Sequence, residues 1–135
     1  IQVDYINLGQ NDPPKYGDYE AQRHWMELTV NLPVKDWYSD SDYNPKNYWP
    51  MDYPPMSGYY SYICGLLFKY TLPESIQLFK SWGYESEFHK ILMRMTVIVS
   101  DIIFYHFPVY LLARNRTDKN KFTFLFCAIV FYRYR

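Results

Sequence analysis

A run of 23 mostly apolar residues, from 91 to 113, constrains the fold more than any other feature of the sequence. It is long enough to cross the hydrocarbon core of a bilayer as one helix. Its 12 Leu, Ile, Val and Phe side chains favour insertion by about 5 kcal/mol, whereas Asp101 near the centre costs about 3 kcal/mol. The run therefore predicts a marginal membrane span, suited to one helix of a multi-pass bundle in which Asp101 faces other helices. The alternative is a buried helix of a soluble protein, in which Asp101 would need a partner.

The charges of the two parts of the chain predict a topology. Residues 1–90 carry 7 basic and 12 acidic side chains, and residues 91–135 carry 7 basic and 2 acidic ones, so the net charge of zero is the sum of −5 and +5. Residues 114–121 carry four basic side chains against one acidic, and such short basic loops stay on the cytoplasmic side of a membrane. We therefore expect residues 1–90 on the lumenal or extracellular side. Residues 122–135 are expected to begin a second hydrophobic segment, which makes the chain a fragment of a longer protein.

Several classes of function are excluded by composition and spacing. An acidic first part would repel a phosphate backbone, so a nucleic-acid partner is not expected. His24, His89 and His106 have no metal-ligand spacing to one another, and two cysteines cannot form a disulfide scaffold. There is no phosphate-binding glycine loop, nucleophile elbow or zinc-protease helix. We expect neither a metal site nor a bound cofactor.

The stretch from Gly17 to Leu28 is typical of the start of an amphipathic helix. Asp18 stands where a side-chain cap is expected, and Ala21, Trp25 and Leu28 follow at helical spacing on one face. Two interpretations of Asp18 remain open. It either only caps the helix, or, because the free amides at a helix start favour a negative charge, it serves as a general base.

A second acidic residue, Asp52, lies in an aromatic and proline-rich stretch from residue 48 to 55. Pro54 and Pro55 pre-set the backbone for a helix that runs on to Tyr70, and Asp52 precedes them where a cap or an Asx-turn is expected. The functional interpretation is a rigid aromatic loop that presents a carboxylate to a sugar ring. For Trp37 and Trp82 we expect anchoring at a membrane surface.

Four ordered motifs within residues 12–112 resemble a known family. They are Gly17 to Trp25, Leu32 to Tyr38, Tyr48 to Pro55, and Gly83 to Ser86 leading into His89, Lys90 and Arg94 to Val97. Together they resemble the endoplasmic reticulum α-1,3-glucosyltransferases that use dolichyl-phosphate glucose. The run from Glu20 to Trp25 is closer to members that add the first glucose to the lipid-linked Man9GlcNAc2 oligosaccharide.

This resemblance implies an all-α integral membrane protein of the GT-C type. In such a multi-pass glycosyltransferase, a first lumenal loop of short amphipathic helices precedes a transmembrane helix, which corresponds here to residues 1–90 and 91–113. The catalytic base of the family carries over to Asp18, and a second active-site acid carries over to Asp52. Further active-site or substrate contacts are expected at Glu20, Arg23, His24 and Tyr53.

The resemblance also implies the reaction and its partners. Glucose would pass from dolichyl-phosphate glucose to a dolichyl-diphosphate-linked oligosaccharide at the endoplasmic reticulum membrane, with inversion and without a metal ion. The fragment alone is expected to be inactive. The alternative is a membrane-anchored, non-catalytic module that binds carbohydrate or another partner, which would explain the acidic aromatic part without a special role for Asp18.

The predicted topology can be checked at Asn115. Residues 115–117 match the acceptor pattern for N-glycosylation, but a cytoplasmic loop never meets the glycosylation machinery. We expect the mass of the chain expressed in eukaryotic cells to be unchanged by a glycosidase. A glycosidase-sensitive mass that disappears on Asn115→Gln would contradict the topology.

Overall fold

The computed structural model describes Pro13 and residues 16–115. Its contacts divide the chain into two units, with the boundary between His89 and Lys90. The helices are α1 (Gly17–Asn31), α2 (Pro55–Thr71), α3 (Glu87–Asp101) and α4 (Phe107–Asn115), with short 3₁₀ turns at Val34–Asp36 and Pro73–Ile76. In the described part of the chain no β-strand forms, and a single antiparallel bridge joins Ser41 and Asn44. The predicted all-α character is confirmed there, while residues 122–135 lie outside the described range.

Helix α1 forms where the sequence predicts it, but Asp18 does not cap it. The helix ends at Asn31, two residues before Pro33, and Ala21, Trp25 and Leu28 are buried on one face as expected. The capping position belongs to Tyr16, whose backbone is left-handed (φ 59°) and which makes no side-chain capping bond. Asp18 therefore lies within the first turn, and its carboxylate is exposed.

Helix α2 begins at Pro55, and here too the predicted acidic cap is wrong. Pro54 occupies the capping position without a side-chain hydrogen bond, and Pro55 is the first helical residue. A proline fits this place because its missing N–H would have no partner in the first turn of a helix. Asp52 lies three residues before the helix and is exposed.

The first unit is built on the close packing of α1 against α2. Gly65 in α2 faces α1 so closely that a Cβ atom there would lie 2.5 Å from Val30 Cγ2 and 2.9 Å from the Met26 carbonyl oxygen. Leu28 and Phe68, one on each helix, are fully buried. The absence of a side chain at Gly65 therefore sets the distance between the two helices.

The segment between α1 and α2 folds back over both helices. Trp37 is 2% exposed, and its indole N–H donates a hydrogen bond to the Leu32 carbonyl at 3.0 Å. The expectation that Trp37 anchors the chain at a membrane surface is therefore wrong. The sequence pattern missed this because the rings of Tyr59 and Tyr62, which are distant in the chain, pack against this indole.

The second unit contains most of a helix that is long and apolar enough, by length and composition, to cross a membrane. It runs from Glu87 to Arg114, and none of its most apolar window is buried. The predicted span of residues 91–113 falls inside it. Between α3 and α4 the helix widens into a π turn at Ile102–His106. Pro108 explains the widening, because proline cannot donate to the carbonyl four residues earlier and its ring clashes there.

Gly65→Ala tests the close packing of α1 and α2. In an ordinary helix this change would stabilise by about 1 kcal/mol, because alanine has the higher helix propensity. Here the new Cβ atom meets the backbone of α1, so we expect the free energy of unfolding to fall by about 1–3 kcal/mol. Thermal unfolding of the full chain in detergent, followed by circular dichroism, measures this. Lys69→Ala, on an exposed position of the same helix, is the control, and a stabilised Gly65→Ala variant would contradict the packing.

Candidate active site

Two acidic residues distant in the sequence line one open groove on the first unit. The groove, which we call the acidic groove, encloses about 470 Å³, within the range of small-ligand sites. One wall is the face of α1 that carries Asp18 and Trp25, and the other is the segment 46–53. The lining residues are Asp18, Ala21, Gln22, Trp25, Lys46, Tyr48, Trp49, Pro50, Asp52 and Tyr53.

Both carboxylates in this groove are available to a ligand. Neither Asp18 nor Asp52 caps a helix. Both are exposed. Asp18 lies in the first turn of α1, where unpaired backbone N–H groups favour negative charge. The groove thus combines carboxylates, which accept protons and bind hydroxyls, with aromatic rings on which the apolar face of a sugar can pack.

Three hydrogen bonds hold the wall that carries Asp52. The Tyr48 hydroxyl donates to Glu20 Oε1 at 2.7 Å. The indole N–H of Trp25 donates to the Trp49 carbonyl at 3.1 Å, and the Tyr38 hydroxyl donates to the Tyr53 carbonyl at 3.0 Å. Asp52 therefore lies on a segment that is held on both sides, and two of the three bonds join this segment to α1.

The residues on either side of Asp18 are held by the fourth sequence motif. The ring of Tyr16 lies over Gly83, where a Cβ atom would come within 2.7 Å of the Tyr16 ring. Gly83 also has a left-handed backbone (φ 73°), so glycine is required there for two reasons. Tyr19 hydrogen-bonds through its hydroxyl to His89 Nδ1, and burial, followed by the charge of Glu85, raises the pKa of Tyr19. The start of α1 is thus fixed on both sides of Asp18, at Tyr16 and at Tyr19.

A buried ion network lies on the opposite side of α1 from the groove. The guanidinium of Arg23 donates to both carboxylate oxygens of Glu20 at 2.6 and 2.7 Å and to the Ser75 carbonyl at 2.7 Å. Its Nη1 atom also lies 2.6 Å from Glu27 Oε2. All of these side chains are withdrawn from solvent. The second carboxylate oxygen of Glu27 accepts a hydrogen bond from the backbone N–H of Phe79. The backbone of Phe79 is left-handed, with φ 64°.

The electrostatics of this network favour its ionised form. Burial alone would lower the pKa of Arg23, but the hydrogen bond to Glu20 and the charge of Glu27 raise it above the ordinary value. Burial alone would raise the pKa of Glu27, but His24 and Arg23 lower it. Burial and the bond to Glu20 raise the pKa of Tyr48, so its hydroxyl stays a donor at neutral pH.

The structure separates the six expected site residues into two groups. Asp18, Asp52 and Tyr53 line the acidic groove. Glu20, Arg23 and His24 lie in the interior with no exposed surface. The His24 ring packs edge-on against Tyr48 and Trp82, and its Nδ1 atom is 3.7 Å from Glu27 Oε2, too far for a hydrogen bond. Tyr48 connects this interior group to the groove, because it bonds to Glu20 and packs against His24.

Sequence reasoning missed Gln22 and Lys46 as members of the groove. Gln22 had a usable signal, because it lies four residues after Asp18 and helical spacing places both on one face. Lys46 had no such signal in the sequence, because it reaches the groove only when segment 46–53 folds against α1. Its amine lies 3.6 Å from an Asp40 carboxylate oxygen in an exposed ion pair. Among the described residues no group of three or more His, Cys, Asp or Glu side chains forms a metal-binding cluster.

These features define a helical protein with an apolar helix of membrane-spanning length and a sugar-sized groove lined by carboxylates and aromatic rings. Residues 3–134 match the model of the ALG6, ALG8 glycosyltransferase family. The chain belongs to this family, as its motifs predict.

Curated relatives support the same assignment. The chain is 51% identical over 122 residues to "Probable dolichyl pyrophosphate Man9GlcNAc2 alpha-1,3-glucosyltransferase" of Arabidopsis thaliana, which covers 87% of this chain and 23% of the relative. It is 42% identical over 127 residues to the rat protein "Dolichyl pyrophosphate Man9GlcNAc2 alpha-1,3-glucosyltransferase", covering 91% of this chain and 25% of the relative. The chain thus spans about a quarter of the length of these relatives.

Arg23→Ala tests the buried ion network. Removing the guanidinium leaves two buried carboxylates without a counter-charge, so we expect the free energy of unfolding to fall by about 3–5 kcal/mol. Chemical denaturation of the full chain in detergent measures this. Lys46→Ala is the matched control, because it removes a cation from an exposed pair worth about 1 kcal/mol or less. Equal effects of the two substitutions would contradict the role of the network.

Proposed function

We propose that the chain supplies the lumenal active-site part of a glucosyltransferase acting on lipid-linked oligosaccharide. The observation that carries the proposal is the acidic groove, in which Asp18 and Asp52 are exposed and neither caps a helix. The names of the relatives supply the reaction class, an α-1,3-glucosyl transfer. We assign dolichyl-phosphate glucose as the donor and a dolichyl-diphosphate-linked oligosaccharide as the acceptor.

The proposed reaction is a transfer with inversion in which Asp18 is the general base. The acceptor hydroxyl attacks the anomeric carbon of glucose from the face opposite the phosphate, and Asp18 removes the hydroxyl proton as the new bond forms. The bond from the anomeric carbon to the phosphate oxygen breaks, and the dolichyl phosphate leaves as a stable anion. A general acid is therefore not required, in contrast to glycoside hydrolysis, where an alkoxide must be protonated.

Each remaining group has a place in this proposal. Asp52, on the fixed opposite wall, binds a hydroxyl of a sugar ring, and Tyr53 packs against that ring. Glu20 and Arg23 are positioning residues, because they act on the groove through the Tyr48 hydroxyl. His24 supports the same tyrosine by edge-on packing. No metal ion or bound cofactor takes part.

The proposed location follows from the charge pattern and the long apolar helix. A helix from Glu87 to Arg114 has the length to span a bilayer, and the basic residues that follow favour the cytoplasmic side. We place residues 1–90 in the lumen of the endoplasmic reticulum, as part of a multi-pass protein of the GT-C type. Dolichyl lipids in the same membrane can then deliver both substrates to the acidic groove.

The role of Asp18 is tested in a chimera in which the chain replaces the segment that it matches in the Arabidopsis thaliana relative. The chimera is expressed in cells that lack this glucosyltransferase, and glucose transfer to lipid-linked oligosaccharide is measured in microsomes. We expect Asp18→Asn to lower kcat about 100-fold or more at unchanged protein level, because a general base contributes about 10²–10⁴-fold.

Asp42→Asn is the matched control, since Asp42 is exposed on the same unit and does not line the groove. Full activity of Asp18→Asn, or an equal loss in both variants, would refute the assignment of the base. A native chimera that transfers no glucose contradicts the proposed function. Oligosaccharide binding by an inactive native chimera would favour the alternative, a non-catalytic carbohydrate-binding module.

A further inference from the structure

A second hollow, of about 320 Å³, adjoins the acidic groove on the first unit. Both hollows are bounded by Gln22, Trp25 and Tyr53, so they form one continuous surface along α1. The first turns of α2 form the rest of the second hollow. The lining residues from α2 are Met56, Ser57, Tyr60 and Ser61. None of the sequence motifs identified these α2 residues as part of a site.

The chemistry of the second hollow differs from that of the first. Of the described residues that line it, none carries a charge, whereas the acidic groove contains two carboxylates and Lys46. Its polar groups are the neutral amide of Gln22 and the hydroxyls of Ser57, Ser61 and the tyrosines. Neutral donors and acceptors between aromatic rings suit a neutral hexose, which offers hydroxyls at its edge and C–H groups on its faces.

The same chemistry argues against the other parts of the substrates. A phosphate or diphosphate group favours cationic side chains, and this hollow has none among its described lining residues. A dolichyl chain cannot form hydrogen bonds with the amide and hydroxyl groups. Binding it here would remove water from these groups without replacing the lost hydrogen bonds, which is unfavourable. A sugar ring of the acceptor avoids both costs.

Resting on the proposed function, we propose that this second hollow binds the acceptor hexose next to the ring that reacts at Asp18. Tyr53 lies at the boundary, with its ring edge-on to Trp25 at a centroid distance of 5.1 Å and about half of its surface exposed. Tyr60 lines the second hollow and not the acidic groove, so it contacts the neighbouring ring alone. The enzyme would thereby distinguish an oligosaccharide from a single sugar.

Tyr60→Ala in the same chimera tests the subsite. We expect KM for the lipid-linked oligosaccharide to rise about 2- to 12-fold with kcat nearly unchanged, because an aromatic contact is worth about 0.5–1.5 kcal/mol. Tyr60→Phe keeps the ring and should restore most of the affinity. With a synthetic lipid-linked single mannose as acceptor, native and Tyr60→Ala chimeras should have equal KM values.

Tyr70→Ala is the matched control, because Tyr70 belongs to the same helix, is 86% exposed and lines neither hollow. An unchanged KM for the oligosaccharide in Tyr60→Ala, or the same increase with the single mannose, would overturn the subsite while leaving Asp18 as base. A raised KM for the lipid-linked glucose donor would also overturn it. An active Asp18→Asn variant would instead refute the proposed mechanism, so the two failures are distinguishable.

Discussion

The guanidinium of Arg23, buried among two carboxylates and a backbone carbonyl, fixes the orientation of the central helix on which the site depends. Its Nε and Nη2 atoms donate to Glu20, and its Nη1 atom contacts both Glu27 and Ser75. Helical spacing places Glu20, Arg23 and Glu27 on one face of α1 and leaves Asp18 outside that face. Breaking such a buried network costs about 3–5 kcal/mol, so rotation of α1 away from this orientation is strongly disfavoured.

A proton acceptor held in this way suits the proposed chemistry. The exposed carboxylate of Asp18 sits on a helix that cannot readily turn, and the facing segment is joined to the same helix through Tyr48 and Trp49. The distance between the two walls of the groove is therefore set by the folded unit rather than by a mobile loop. Geometry fixed before the substrate binds reduces the reorganisation needed in the transition state.

Local patterns in the sequence predicted the helices, the long apolar segment and the two acids that share the groove. Apolar spacing and proline positions are sufficient for the helices, because they act within a few residues, whereas Asp18 and Asp52 were assigned to a site through the resemblance of their motifs to a family. Local patterns could not predict that Glu20, Arg23 and His24 are buried, because a charged helix face normally indicates contact with solvent. The Ser75 carbonyl, which Arg23 binds, lies 52 residues away in the chain. The caps expected at Asp18 and Asp52 failed because Tyr16 and Pro54 occupy those positions, and the ring of Tyr16 packs on the distant Gly83.

The π turn at Ile102–His106 changes which side chains of the apolar helix lie on the same face. A regular helix turns about 100° per residue, and the wider turn interrupts that progression. A helical wheel drawn through residues 91–113 therefore misplaces every side chain after the interruption relative to those before it. The apolar helix therefore has two faces that are offset in phase, one before and one after the π turn, and the two halves turn different sides to their surroundings.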